Sequence, residues 1–589
     1  MEKYFVTKPP VPPKTDTASV ATSSSPAVPA PSVAPVQEPS PSETPAPQVA
    51  LRKIEFKTAL WKGTLSNQGG ALTEWTMIRF TDGEPIDPKN GGVNLISPDL
   101  VREFGASLRF SIPSDQALEK ELNSANYTID DLSSPDSDVK LELAKGEQRE
   151  ITFSYNHNGV VARKKYIFNG SGYDFGFQVE VTRNGQPVET QVVIGPNFGD
   201  QSIKEYGSYQ PPPQVSYAAA GSVKRLAAAS IKEVSHSIQA DSIAWAAVDD
   251  NYFAMALVPP NPVHATNVIN PRHTEKIKGK DVERHFISVA IPVPNGQLNH
   301  VYAGPKDPET LTAVNQKFGL KPQDGNLEDL VNYGFLSFVV KPLASLMLKA
   351  LLIINRFIGN YGWSIIVFTV VLNMFFFPLR WKSSVSMKRT AVMQPKMKEL
   401  QERMKKLDKN DPRMAELQRE QISLMREGNP LMGCLPLFLQ LPFFYAVYTI
   451  LTVSIEVRHA PFFGWIHDLS SPDQYWILPI VMCVSMIAQT ALTPSTGDPM
   501  QKKMSYLMPV ILTAVFFVNA PAGLVLYWMV GNLVGIAQQM IINRLNPPNT
   551  PATTNGSKKN SQAVSNASKS DQTQQLPKGK KSKELLTNP

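Results

Sequence analysis

Twenty consecutive residues, 360–379, carry no charged side chain. As a helix they reach about 30 Å, the thickness of a bilayer's hydrocarbon core. Their apolar surface is too continuous for a helix that must show one side to water. Further apolar runs lie at about residues 431–455, 475–493, 505–519 and 522–542. The chain is therefore expected to form an α-helical polytopic membrane bundle with five visible spans over residues 359–545. The run at 505–519 reaches only about 23 Å as a helix, which favours tilt or local thinning of the bilayer. A mean hydropathy of −0.17 conceals all this, because it averages unlike segments.

The other segments have different chemistry. Residues 335–357 are apolar but interrupted by Lys341, Lys349 and Arg356, so an amphipathic helix lying at the membrane interface is expected over 330–358. Residues 51–325 hold short β-rich runs between Gly, Pro, Asn and Asp clusters, with strict alternation through 173–182. They are expected to form a large antiparallel β-sandwich domain. Residues 1–50 hold twelve of the fifty prolines among Ala, Ser, Thr and Val, and read as a disordered linker. Residues 546–589 read as a disordered basic tail. Only two cysteines, Cys434 and Cys483, rule out a disulfide framework.

Basic residues set the orientation. Residues 380–428 carry thirteen Lys and Arg against seven Asp and Glu, and the tail after Asn543 carries eight against two. The loop 456–474 has Arg458 alone. The segment 380–428, the loop 494–503 and the tail are thus expected in the cytoplasm, with the β-domain and the loop 456–474 outside. An exported domain needs a leader or a preceding span, so a membrane anchor is expected upstream of Met1. Within 383–427 two helices are expected, broken near Asn410-Asp-Pro412.

Several motifs stand in one order: Gly359-Asn-Tyr-Gly-Trp-Ser-Ile-Ile, Phe377-Pro-Leu, Met393-Gln-Pro-Lys-Met, Asn429-Pro-Leu-Met-Gly-Cys-Leu-Pro-Leu-Phe-Leu-Gln-Leu-Pro-Phe-Phe, Trp465-Ile-His-Asp-Leu-Ser, Met508-Pro-Val, Gly523-Leu-Val-Leu-Tyr-Trp and Asn532-Leu. Together they resemble the YidC/Oxa family of membrane protein insertases, in the form with a large periplasmic domain, over about residues 50–545. The resemblance implies a protein of the bacterial inner membrane that inserts and folds other membrane proteins, alone or with the Sec translocon. It implies a mutarotase-like sandwich, nascent membrane proteins as substrates, and contact with the ribosome and signal-recognition machinery as well as the phospholipid bilayer. It implies no enzyme chemistry.

A polar segment crossing hydrocarbon needs polar groups inside an otherwise apolar bundle. Thr369 and Asn373 are four apart and share a helix face, with Arg380 about two turns further on. Gln440 sits between Pro436 and Pro442, and Tyr527 and Trp528 lie one turn from Gly531 and Asn532. By resemblance, Thr369, Asn373, Gln440, Tyr527 and Trp528 match groove-lining positions of the family. Taken singly, each has a plainer reading: Thr bonding its own backbone, Asn or Gln joining helices, Tyr and Trp as interface anchors, Arg380 as a snorkelling flank. Many bacterial members carry arginine where Asn373 stands. This groove is therefore expected to work by hydration, with Arg380 supplying positive potential near its mouth. Met393, Met397 and Met404, with their flexible thioethers, are candidates for contact with substrates or targeting factors.

Rival functions remain to be weighed. A sugar-processing sandwich needs an acid–base pair in a cleft, and no spacing among His264, His273, His285, Glu275 and Glu283 selects one. A transporter usually shows repeats or midplane charges, and these spans show neither. A pure assembly chaperone of the Sec pathway would use the same groove and stays open. There is no metal-ligand spacing, phosphate loop or nucleophile elbow, so no catalytic residue, metal or cofactor is expected.

Overall fold

The computed structural model describes residues 49–79, 91–130, 138–203, 209, 211–277, 280–334, 337–407, 411–428, 430–493 and 499–546. The expected linker, apart from its last two residues, and the tail beyond residue 546 lie outside them. So does Asn410 at the expected helix break.

The N-terminal part is β-rich. A five-stranded sheet runs in the spatial order Val93–Asn94, Ala71–Met77, Trp61–Ser66, Lys53–Lys57, Val139–Glu142. A fourteen-stranded sheet holds most of the remaining strands. Toward one edge it includes the meander Gln148–His157, Val160–Asn169 and Asp174–Arg183, paired antiparallel throughout. Inward and outward residues alternate along Asp174–Arg183, as the sequence pattern requires. One expectation is corrected: the pairing of Lys53–Lys57 with Val139–Glu142 is parallel, so the β-region is not wholly antiparallel. The apolar stretch 244–257 is divided between two strands. Asp250 accepts the N–H groups of Tyr252 and Phe253, and this turn folds Ser235–Asp249 back on Phe253–Val258.

Aromatic side chains join the two sheets. Trp61 and Trp75 of the smaller sheet stack at 4.1 Å and meet Phe168 and Phe175 of the larger one. Both indoles are fully buried, and both donate: Trp61 Nε1 to the Gly172 carbonyl at 2.9 Å, Trp75 Nε1 to that of Ala303 at 3.1 Å. Burial of such rings with their N–H satisfied stabilises the core by a few kcal/mol each, on the order of 2–3.

Among the described residues seven α-helices follow: α1 (Ser337–Ile358), α2 (Tyr361–Lys405), α3 (Pro412–Gly428), α4 (Pro430–Val453), α5 (Ile477–Leu492), α6 (Pro499–Leu512) and α7 (Ala522–Leu545). After α6 the backbone continues in a π-turn, Thr513–Phe517. Among the described residues three helices are long and apolar enough to cross a membrane: α1, the 361–393 part of α2, and α7. The five expected spans are therefore not all matched by helices of that length. The segment expected to lie at the interface, α1, is itself one of the three.

The expected helix boundary near residue 379 is also corrected. α2 runs unbroken for 45 residues, through Pro378 and Pro395, so the first span and the first helix of the 383–427 hairpin are one helix. Proline removes an N–H and crowds the preceding turn. α7 packs beside this turn: Gln538 Nε2 donates to the Asn373 carbonyl at 3.0 Å, one residue before the Met374 carbonyl that Pro378 leaves without its helical partner.

The β-region and the helices are joined by polar contacts. Arg458, just after α4, pairs with Asp200. The Asn251 amide donates to the Thr452 carbonyl, and Tyr209 Oη to that of Phe516 at 3.0 Å.

Candidate functional site

A groove of about 700 Å³ opens among α2, α4, α5, α6 and α7. α2 contributes Asn373, Arg380 and Ser383, α4 contributes Gln440 and Phe444, and α7 contributes Tyr527, Trp528, Gly531 and Gln538. Its wall holds amides, hydroxyls and a single cation, with no carboxylate among the described lining residues.

Local packing explains the shape. Trp528 is held edge-on between Phe444 at 4.7 Å and Phe517 at 4.9 Å, a rigid aromatic wall. Asn532 donates to Ser485 Oγ at 3.1 Å and ties α7 to α5. Ser384 and Gln539 bond each other at 3.0 Å and tie α7 to α2. These bonds close the bundle around the groove without filling it. In a medium that offers no water, each such pair satisfies groups that would otherwise be costly to bury.

Known proteins resemble this chain in sequence over most of its length. The family profile described as 60Kd inner membrane protein matches residues 353–549, and that of the YidC periplasmic domain matches 53–346. A membrane protein insertase YidC of Geobacter sp. (strain M21) is 33% identical over 499 residues, covering 84% of this chain and 86% of the relative. The chain belongs to the YidC family of membrane protein insertases. The YidC of Cupriavidus necator (strain H16) is 34% identical over 408 residues, 68% of this chain and 70% of that one. A solved structure, an active YidC insertase with its first transmembrane domain resolved, overlaps 82% of this chain and 90% of its own, at 15% identity and a TM-score of 0.30. As a YidC family member the chain is integral to a membrane, and its family is not one of enzymes.

Of the six groove candidates, the structure brings five together. Asn373, Arg380, Gln440, Tyr527 and Trp528 all line the groove. Thr369 does not: it is fully buried, and its hydroxyl donates to the Ile365 carbonyl at 2.6 Å. A Thr hydroxyl inside a helix readily adds a bond to the carbonyl one turn back. Asn373 is half-buried, and its amide donates to the Thr369 carbonyl at 2.8 Å. Gln440 is exposed and Tyr527 is largely buried. Met393, Met397 and Met404 lie further along α2, away from the groove, each half-exposed. Met387 and Met486 line it instead.

Sequence reasoning passed over Gln538, Gln539, Ser384 and Gln489 in the wall. A signal was present. Gln539 is seven residues after Asn532 in an apolar span, hence on nearly the same face. Gln538 is only 7% exposed, and its Oε1 has no hydrogen-bond partner among the described residues.

Proposed function

We propose that the groove is the route by which this YidC family chain moves polar parts of nascent membrane proteins past the hydrocarbon. The observation that carries this is the wall itself: a cavity of about 700 Å³ whose lining sets amides, hydroxyls and one arginine among apolar and aromatic side chains, inside an apolar bundle. A charged side chain at the centre of a bilayer costs about 2.5–3.5 kcal/mol by insertion scales. A wet polar groove lowers that barrier, since water and amides solvate the passing group. Arg380 adds positive potential, and its attraction for a carboxylate at about 4 Å is on the order of 4 kcal/mol for an effective dielectric near 20.

Hydration carries more of the work than charge in this reading. Asn373→Leu is expected to impair insertion more than Arg380→Gln. Depletion of the native chain, complemented with either variant, ranks them, and the reverse order defeats the hydration-first reading. Insertion of a small single-span protein into liposomes holding only this chain separates an insertase from a Sec-dependent assembly chaperone. Failure alone with success on adding the Sec translocon supports the chaperone.

The same reading places the β-rich region, a mutarotase-like sandwich, in the periplasm, and the α2–α3 hairpin and tail in the cytoplasm of a bacterial inner membrane. Its bundle crosses five times, through 360–379, α4, α5, α6 with its π-turn, and α7. α1 lies at the interface in this arrangement. Supporting that, Lys341 pairs with Glu328 and Asp329, and Lys349 with Glu309, all in the segment joining the β-rich region to the helices. Met393, Met397 and Met404 then face the cytoplasm, where substrates, the ribosome and signal-recognition machinery approach.

A further inference from the structure

Arg380 has an unusual seat. Gly535 of α7 lies directly against its guanidinium: a Cβ built on Gly535 would stand 2.6 Å from Nη2, 2.7 Å from Nη1 and 3.0 Å from Cζ. No real methyl group tolerates those distances. Gly535 is buried in mid-helix, and its φ is not among the left-handed ones, so its backbone does not require glycine. In that position glycine is a poorer helix former than alanine. What the missing side chain provides is space, and the group occupying that space is the cation of the groove. Among the described residues Arg380 has no ion pair, and the groove wall around it holds no carboxylate. Its position is therefore set by packing and not by a counter-charge.

We infer that Gly535 is a positioning residue for insertion: its bare Cα is the notch that seats the Arg380 guanidinium on the groove wall and fixes the depth at which the groove offers positive charge to an acidic segment of its substrate. This rests on the reading of the groove as the insertion route. A guanidinium on a four-bond tether is free to swing when its seat is removed, whereas the α2 and α7 backbones are packed. Adding one methyl at residue 535 thus moves the charge and leaves the fold. The Gly535→Ala helix itself should be as stable as the original or slightly more so. Loss of stability and loss of positioning consequently have opposite signs in this variant, which makes it informative.

The test uses the full chain, reconstituted in liposomes, and two single-span substrates alike except that one carries acidic residues in its translocated tail and the other their amides. Gly535→Ala is expected to lower insertion of the acidic substrate several-fold and to leave the amide version within twofold. Arg380→Gln should give the same split, and Arg380→Gln with Gly535→Ala should be no worse than Arg380→Gln alone. Thermal unfolding of Gly535→Ala should be unchanged or shifted upward. If Arg380→Gln splits the substrates and Gly535→Ala does not, or if the two losses add, the positioning role is wrong while the groove reading stands. If Arg380→Gln itself produces no split, the charge reading falls and the role of Gly535 falls with it.

Discussion

Two arginines of this chain occupy opposite electrostatic situations. Arg458, where the β-rich region meets the helices, has a side chain 2% exposed, against an equally buried Asp200. Its Nε donates to Asp200 Oδ2 at 3.0 Å, and Nη2 donates to the same oxygen. The rings of Tyr252 and Phe253 flank the guanidinium at 5.8 and 5.7 Å. A second buried pair, Lys306 with Asp249 at 2.8 Å, lies close by in sequence to Asp250, whose carboxylate accepts the Asp200 N–H. Arg380 faces a groove with no such partner. A paired, desolvated charge fixes how two parts of the chain sit together. An unpaired charge at the edge of a cavity is available to whatever enters it. On the proposed reading the same side chain serves architecture in one place and recognition in the other.

The largest expected effect separates them by stability. Arg458→Met strands the Asp200 carboxylate in a dry interface, and removing one partner of a buried pair costs about 3–5 kcal/mol. Arg380→Gln strands nothing and should cost less than about 1 kcal/mol. Denaturant unfolding in detergent, followed by tryptophan fluorescence from Trp61, Trp75 and Trp245, reports both. Equal losses from the two substitutions would break the comparison. Replacing Asp200 and Arg458 together by apolar residues of similar size should recover much of the loss, since a buried pair is often no better than a hydrophobic one.

Acidification probes the same interface more finely. Burial alone would raise the Asp468 carboxyl, yet hydrogen bonds from His459, Ser470 and Ser471 hold it at about 2. Its folded pKa lies below its unfolded one, near 3.9. It therefore stabilises at neutral pH, by about 2–3 kcal/mol, and this is lost as pH falls from about 4 toward 2. Asp250 has the opposite sign: burial is the main cause that raises it to about 6, despite backbone N–H groups that lower it. Its contribution is present below about pH 4 and is lost as pH rises through 6. Asp468→Asn should accordingly destabilise at pH 7, with the gap from the original chain closing below pH 4. A gap independent of pH would mean that Asp468 acts through shape and not through charge.

Much of this was legible in the sequence, for identifiable reasons. The meander strand Asp174–Arg183 declares itself because one of its faces is buried, which forces alternation. Asn373, Gln440, Tyr527 and Trp528 stand out because polar side chains are rare in apolar spans, and the structure sets them around one cavity. Other features depend on partners distant in sequence. Ile54 pairs in parallel with Val139 across a long insertion, and no local pattern encodes that. Pro378 suggests a kink at the end of the first span, yet the helix runs through it unbroken, packed against the last helix through Gln538 and the Asn373 carbonyl. Thr369 has the right spacing for the groove but bonds its own backbone. Gly535 reads as a weak point in a helix, and only its approach to Arg380 gives it a purpose.

The smallest expected effect concerns a cation on the same helix as Arg380. Lys388, two turns further along α2, donates through Nζ to the carbonyls of Ile542, at 3.4 Å, and Asn546. These belong to the last turn of α7 and the residue after it, where the helix dipole favours positive charge; the Ile542 carbonyl also accepts the Asn546 N–H at 2.9 Å. Lys388 is in this respect like Arg458, since its donors are already engaged by the protein. Lys388→Met should cost about 1 kcal/mol, the usual value of a helix-terminal interaction. It should lower insertion of acidic and amide-bearing substrates alike, by no more than about twofold, because the groove's own cation is untouched. Parallel unfolding curves and the same two-substrate ratio measure this. A Lys388→Met ratio shifted as far as that of Arg380→Gln would mean that the positive potential of the groove belongs to the whole cytoplasmic end of α2, so that one seated guanidinium no longer accounts for it.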